Sequence, residues 1–328
     1  MNASSQPLLS VCIPTYNRVN MLRVTLDSIF NQFEDESLKN LVEVVVSDNA
    51  SPDSTQNLVA EYQKKFSQLK YFRNPENLGA DLNIVNSVVK ATGKYGWYLG
   101  DDDALPPGAL KYACGVLEKF SPAVMGIKPA VFTDPTRVPG PEFTLKEKDP
   151  IVIEDFQEFM AKGYCLGILG VLAFDRDLWM ATDRTNSHSL WECVEILLRL
   201  MPKARNRKFV YIDQVGVLAG EGYGWVRGGK ELYTFMDWRE ILNSLPGYGY
   251  DKAWVLEEDK KLPGRLPLIL LRAKGHGLSM EFRHLRNMYK SFSGHWFYLS
   301  LATIIFFVPN FIVRFVRDLR KRVAPKKS

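Results

Sequence analysis

Cysteine is scarce: Cys12, Cys114, Cys165 and Cys193 are the only four in 328 residues, they show no paired spacing, and each sits in an apolar or mixed stretch. That pattern excludes a disulfide framework and predicts reduced thiols of a cytoplasmic protein. The opening MNASSQPLLS has no basic region followed by a long apolar run, so no secretory signal is expected before the first strand. No glycine-rich phosphate loop occurs between Leu8 and Arg23, which counts against a nucleotidyltransferase. No internal repeat is visible. Excess charge of either sign is missing from most of the chain. Nine of the 42 Lys and Arg lie from Arg286 onward against one of the 37 acids, leaving 33 basic and 36 acidic residues before it. A nucleic-acid binder would spread basic residues and stacking aromatics over its folded part, so nucleic acid is not an expected partner. With 46% apolar residues the chain can still bury a substantial core, which excludes disorder.

What is present is strand and helix alternation. Leu8 to Pro14 is a short apolar run of the kind a buried parallel strand uses. Leu22, Leu26, Ile29, Phe30 and Phe33 then share one helical face, with Asn20 as a cap before it. Val42 to Val46 reads as a β-branched strand ending in Asp48, Asn49 and Ser51. A helix carrying Leu58, Val59, Tyr62 and Phe66 follows, then a strand near Leu69 to Phe72, a helix from about Asp81 to Ala91, and a strand at Tyr95 to Leu99. This spacing predicts βαβ units, hence an α/β fold with a mostly parallel sheet covered on both faces. After Phe120 the alternation blurs, and Lys128 to Pro150 reads as a loop or insertion. Ile168 to Phe174 and Phe209 to Ile212 are predicted strands, and Ser189 to Leu200 a helix.

Ligands on parallel sheets bind at the carboxyl ends of the strands. Polar clusters lie at three such ends: Thr15 to Arg18, Asp48 to Asp53, and Asp101 to Asp103. In YLGDDDALPP three consecutive carboxylates repel one another unless a cation joins them. Hard oxygen ligands on a short loop suit Mg2+ or Mn2+, which take one or two carboxylates plus phosphate oxygens. The ordinary alternative is a solvated acidic turn before the helix that begins near Pro107.

Four segments, SVCIPTYNR (10–18), VVVSDNASPD (44–53), NPENLGADLN (74–83) and WYLGDDDALPP (97–107), make the first 220 residues or so resemble family-two glycosyltransferases. The resemblance implies a GT-A fold, a nucleotide diphosphate sugar as donor, and donor-binding roles for Pro14, Thr15, Tyr16, Asn17, Arg18, Asp48, Asn49 and Asp81. Each also has a plain structural role available: Pro14 ends a strand, Asn17 caps a helix, Asp48 forms a turn. Aligning the acidic loop on Leu105 and Pro107 puts Gly100 where the family's first acid is expected. Asp102 then becomes the metal ligand, Asp101 its neighbour near the ribose or a second ligand, and Asp103 a candidate helix cap.

The general base that takes the acceptor's proton is a carboxylate or histidine. In the family it opens a helix whose apolar run ends in Arg-Leu, and SHSLWECVEILLRL matches that ending at Arg199 and Leu200. This register puts Cys193 at the expected aspartate, so Glu192 is the first candidate and His188 the second. Cys193 keeps a catalytically silent donor-binding scaffold in play. Trp97 and Tyr98 read as core aromatics, and GEGYGW with Trp225 as either a flap or a plain loop.

From Trp296 to Val313 the chain runs eighteen residues without a charge, at the lower limit for a membrane span. Phe311, Ile312, Phe315, Val316, Leu319 and Val323 then share one helical face, opposite Arg314, Arg317, Lys321 and Arg322. This pattern predicts an interfacial tail on anionic lipid, with a re-entrant hairpin near Pro309, rather than a crossing. The expected organisation is a glycosyltransferase domain over 1–225, with a donor half to about 125 and an acceptor half after it, and a helical region over 226–328. Its expected location is the cytoplasmic face of the plasma membrane, peripheral or monotopic, and the subgroup resembled is that of O-antigen sugar transferases acting on lipid-linked saccharides.

Overall fold

The computed structural model describes residues 6–132, 137–146, 148–161, 170–184, 192–220 and 231–323. The chain divides into two compact units, Met1–Glu221 and Gly222–Ser328.

The first unit opens with β1 (Leu9–Thr15), α1 (Val19–Phe30), the short helix α2 (Leu38–Leu41), β2 (Val42–Asp48), α3 (Thr55–Gln63), β3 (Leu69–Arg73), α4 (Ala80–Val89), β4 (Tyr95–Tyr98) and α5 (Ala109–Phe120). It continues through β5 (Val124–Phe132), β6 (Ile151–Ile153), α6 (Phe156–Ala161), β7 (Leu172–Asp175), α7 (Arg176–Met180), α8 (Glu192–Leu200) and β8 (Phe209–Gly220). These eight strands form one mixed sheet in the order β3-β2-β1-β4-β7-β5-β8-β6. β1 runs parallel to both β2 and β4, and β2 to β3. β7 enters antiparallel between β4 and β5, and β8 returns parallel to β5.

β1 and β2 have helices on both faces, so neither strand needs a polar side. Val11, Ile13, Val44, Val45 and Val46 are completely buried, each worth roughly 1.5–3 kcal/mol of transfer free energy. α1 presses Leu22, Leu26, Ile29 and Phe30 onto this sheet, and Phe30 stacks on Phe66 with centroids 4.1 Å apart. At the end of the sheet away from the polar clusters, buried Glu43 accepts bonds from Ser10, Lys70, Thr92 and Gly93, which joins three strands to the turn before β4.

Three local expectations are corrected. Asn20 lies inside α1, whose N-cap is Arg18 without a side-chain bond; Asp53 caps the helix from across the crevice by accepting from the Val19 N–H at 3.0 Å. The stretch expected to be loop from Lys128 begins as strand, since β5 extends to Phe132. Lys128 and Pro129 obscure it because the strand bulges there against β8, where a proline without an N–H is tolerated. Asp103 caps no helix, since α5 starts at Ala109 after Gly108.

The second unit is helical: α9 (Glu231–Ser244), α10 (Lys252–Lys261), α11 (Leu266–Gly275), α12 (Phe282–Ser291), α13 (Trp296–Phe307) and α14 (Asn310–Val323). Arg239 of α9 grips Asp259 of α10 with two bonds, at 2.6 and 2.8 Å. α11 packs against α9, α13 and α14. α13 and α14 meet at a bend of 99°. Pro309 cannot supply an N–H to the preceding turn, and buried Lys274 donates to the Phe306 carbonyl at 2.8 Å, at the negative end of the α13 dipole.

Candidate active site at the carboxyl ends of the parallel strands

Parallel pairing brings the ends of β1, β2 and β4 to one edge, with Thr15 opposite Asp48. The chain leaves β1 through Asn17, whose φ of 55° lies in the left-handed region, and the Asn17 N–H is held by the Ser51 hydroxyl at 2.9 Å. This turn aims Arg18 at the acidic loop. Its Nη1 donates to Asp101 Oδ1 at 2.9 Å and lies 3.3 Å from Asp102 Oδ2, while the Thr15 hydroxyl donates to Asp101 Oδ2 at 2.8 Å. Thr25 of α1 donates to the carbonyls of Asp101 and Asp103 at 3.1 and 2.7 Å, fixing the loop backbone.

The three acids are not equivalent. Asp103 turns inward, accepting from the N–H groups of Gly100 at 2.9 Å and Gly220 at 3.1 Å. Burial, with the Asp102 charge beside it, pushes its carboxyl up to about 7. Asp101 is also buried, and burial raises it to about 6 even though Arg18 opposes the rise. For Arg18, burial works against the charge, but Asp101 and Asp102 outweigh it and hold the guanidinium above its ordinary value. The Asp102 side chain is 19% exposed, more open than that of Asp101 at 7%.

A divalent ion fits this donor set. Two carboxylates meet at a strand end, one of them accessible, and desolvation there leaves negative charge that a cation would relieve. Among the described residues no group of three or more His, Cys, Asp and Glu forms a closed metal cage. An ion with few protein ligands and several substrate or water oxygens matches that arrangement.

Asp48 is fully buried and carries three donors: the Tyr71 hydroxyl at 2.5 Å, Arg73 Nη1 at 2.7 Å and the Ser51 N–H at 2.9 Å. Asn49 receives the Leu78 N–H at 2.9 Å and donates to Asn77 and Gly79, tying the 74–79 loop over the strand ends. Asn83 of α4 bridges the Thr15 and Ser47 carbonyls. Tyr16 is 43% exposed, and Pro14 is half-buried in β1 opposite Ser47.

Glu192 lies in the first turn of α8, half-buried. Burial raises its carboxyl above the ordinary value, and the negative charges of Asp81, in the first turn of α4, and of Glu195 add to the rise. Cys193 is buried, and burial, with the Asp81 charge next, pushes its thiol up to about 12, so it is protonated and unreactive. His188 and Trp225 lie outside the described residues. Trp97 and Tyr98 are core, as their pattern suggested. The sequence reading missed Tyr71, Arg73, Thr25, Asn83 and Gly220. Asn83 closes the NPENLGADLN segment, and the YFRN at the end of β3 beside Asp48 is a polar strand end like the other three, whereas Thr25 and Gly220 carried no signal.

A sheet with this strand order, and with its polar residues gathered at the parallel strand ends, is the GT-A fold. The chain belongs to glycosyl transferase family 2, whose model matches residues 10–173. The abequosyltransferase RfbV of Salmonella typhimurium is 30% identical over 192 residues, covering 57% of this chain and 55% of that one. The GalNAc(5)-diNAcBac-PP-undecaprenol β-1,3-glucosyltransferase of Campylobacter jejuni is 40% identical over 106 residues, covering 32% of each. The chain thus spans about half the length of the first of these relatives and a third of the second. Among solved structures, S. aureus TarS in complex with UDP-GlcNAc matches with a TM-score of 0.60 and 18% identity over 90% of each chain. The mannosyltransferase PcManGT from Pyrobaculum calidifontis, in complex with GDP-Man and Mn2+, matches with a TM-score of 0.56 and 17% identity over 97% of this chain and 88% of that one. At such identities these two structures speak to the fold alone.

Proposed function

We propose that the chain is an inverting glycosyltransferase that moves a sugar from a nucleotide diphosphate sugar to a lipid-linked saccharide acceptor, in bacterial surface polysaccharide synthesis at the cytoplasmic face of the plasma membrane. The observation that carries the chemistry is the Thr15–Arg18–Asp101–Asp102 network at the ends of β1 and β4, together with the raised Glu192 carboxyl. The relatives' names support the substrate classes: one transfers abequose, and the other acts on an undecaprenol-linked saccharide.

In this reading Pro14 to Arg18, Asp48 and Asn49 hold the base and ribose. Asp48 keeps one lone pair beyond its three partners for a base N–H. Asp102, with Asp101, would hold Mn2+ or Mg2+, which when bound neutralises the donor diphosphate. Arg18, a third exposed, adds a preorganised positive charge where leaving-group charge develops. Glu192 takes the proton of the acceptor hydroxyl as that oxygen bonds to the anomeric carbon and the bond from carbon to diphosphate oxygen breaks. A carboxyl with a raised pKa suits this role, because it binds the proton more firmly in the transition state. Asp81, by its charge, keeps Glu192 basic.

The test is a panel of nucleotide diphosphate sugars scored for thermal stabilisation with and without Mn2+, followed by turnover on the stabilising donor. Asp102→Asn should abolish the Mn2+-dependent stabilisation and most turnover. Glu192→Gln should lower turnover by roughly two to four orders of magnitude with donor binding kept. Wild-type turnover in either variant overturns that residue's role. Donor binding by the wild type without transfer to any lipid-linked acceptor would favour the silent scaffold.

A further inference from the structure

The second unit exposes a surface that its own helices leave uncovered. α13 carries no charge and buries Leu299, Ala302 and Phe306, while Trp296, Phe297, Leu301, Ile304 and Phe307 remain exposed, from 37% to 70%. A helix that is apolar all round belongs in a core or against lipid. This one is half in a core. α12 lies beside it and antiparallel to it, since Phe282 meets Phe306 and Phe307 with centroids at 5.8 and 6.5 Å while Tyr289 meets Trp296 at 6.4 Å. α12 buries His284 and Met288 and turns Phe282, Arg283, Arg286, Tyr289 and Lys290 outward. Phe282, Arg283, Leu285, Arg286 and Tyr289 line an open groove of about 570 Å³. Arg283 pairs with Glu281, but neither Arg286 nor Lys290 has an ion-pair partner among the described residues.

We infer that α12 and α13 form a platform that docks on an anionic bilayer. Arg286 and Lys290 sit at the level of the lipid phosphates, and the outer face of α13 enters the acyl boundary. The occupant follows from charge and composition together: a second protein surface would satisfy the apolar face, but the two cations beside it that have no ion-pair partner among the described residues, Arg286 and Lys290, fit phosphate headgroups. α14 also exposes apolar side chains, Phe311, Ile312, Phe315, Val316 and Leu319. No single described helix is long and apolar enough to cross a membrane, and the 99° bend sets α14 across α13 rather than in line with it. A helix of 12 residues is about 18 Å long, short of the roughly 30 Å hydrocarbon core. The platform rests on the membrane location proposed above and adds α12, which precedes the apolar tail, as its charge-reading edge.

The experiment is flotation of the full chain with vesicles of phosphatidylcholine alone or mixed with phosphatidylglycerol. The variants compared are Arg286→Gln/Lys290→Gln in α12 and Phe311→Ser/Phe315→Ser in α14. At about 1 kcal/mol per basic residue at the surface, the α12 pair should weaken binding to the anionic vesicles roughly 30-fold. It should leave the thermal midpoint and donor stabilisation unchanged, because both side chains are exposed. High salt should erase the difference between wild type and that variant, and the α14 variant should lose binding in salt as well. If the α12 variant floats like wild type while the α14 variant does not, the platform is refuted and the membrane location stands. If the wild type floats with neither vesicle, both fall.

Discussion

Arg199 and Glu195 lie one turn apart on α8, with side chains only 5% and 4% exposed and a bond of 2.7 Å between them. Arg199 also donates to the Asp183 carbonyl at 3.3 Å, linking the helix to the segment before it. Arg199→Met keeps the aliphatic volume but removes the guanidinium from a buried ion pair. Removing one partner of a buried ion pair costs about 3–5 kcal/mol. For a unit of this size each kcal/mol moves the midpoint by roughly 2–4 °C, so a fall of about 6–20 °C is expected by calorimetry. Glu195→Leu/Arg199→Met removes both charges and should recover most of that loss, because an apolar pair of similar volume replaces a buried ion pair at little cost. Turnover should follow stability, since Glu192 stands in the first turn of the same helix. A single variant that loses less than about 1 kcal/mol, or a double variant no more stable than the single, would refute the argument that this pair holds the helix in place.

Gly220→Ala would bring a Cβ to 2.5 Å from the Asp102 carbonyl oxygen, so the acidic loop must move; a loss of about 1–3 kcal/mol in chemical denaturation, with weaker donor binding, is expected. Thr25→Val leaves the carbonyls of Asp101 and Asp103 without their buried donor and should cost about 1–3 kcal/mol by the same measurement. Asp101 and Asp103 stand at about 6 and about 7 in the folded chain, above the carboxylate value of the unfolded one, so the folded state holds more protons between about pH 4 and 7. Stability without metal is therefore fullest at the acid end of that window and should decline as pH rises to 8. The decline is of order 4 kcal/mol for Asp103 alone, and Mn2+ should stabilise more at pH 8 than at pH 6 in thermal melts.

The sequence by itself determined the first half of the sheet. Buried parallel strands are runs of apolar residues, so β1, β2 and β4 announce themselves, and the polar residues that follow them fall at one sheet edge because parallel strands all end on the same side. Thr15, Arg18, Asp48 and the three acids were legible for that reason. Only the tertiary structure decided which acid faces where. Asp103 turns inward because the end of β8, more than a hundred residues later, supplies the Gly220 N–H. Asp48 has both acceptor sites of Oδ2 filled because β3 delivers Tyr71 and Arg73 beside it. In the second half of the sheet β7 and the start of β8 were legible as apolar runs, but the antiparallel entry of β7 between β4 and β5 was not, and Lys128 and Pro129 on β5 and Asp213, Gln214 and Gly216 on β8 hid the rest where the register slips. The apolar tail and its break near Pro309 were visible in the sequence, but the Lys274 side chain of α11 that holds the end of α13 makes its contact from 32 residues away, which no local pattern encodes.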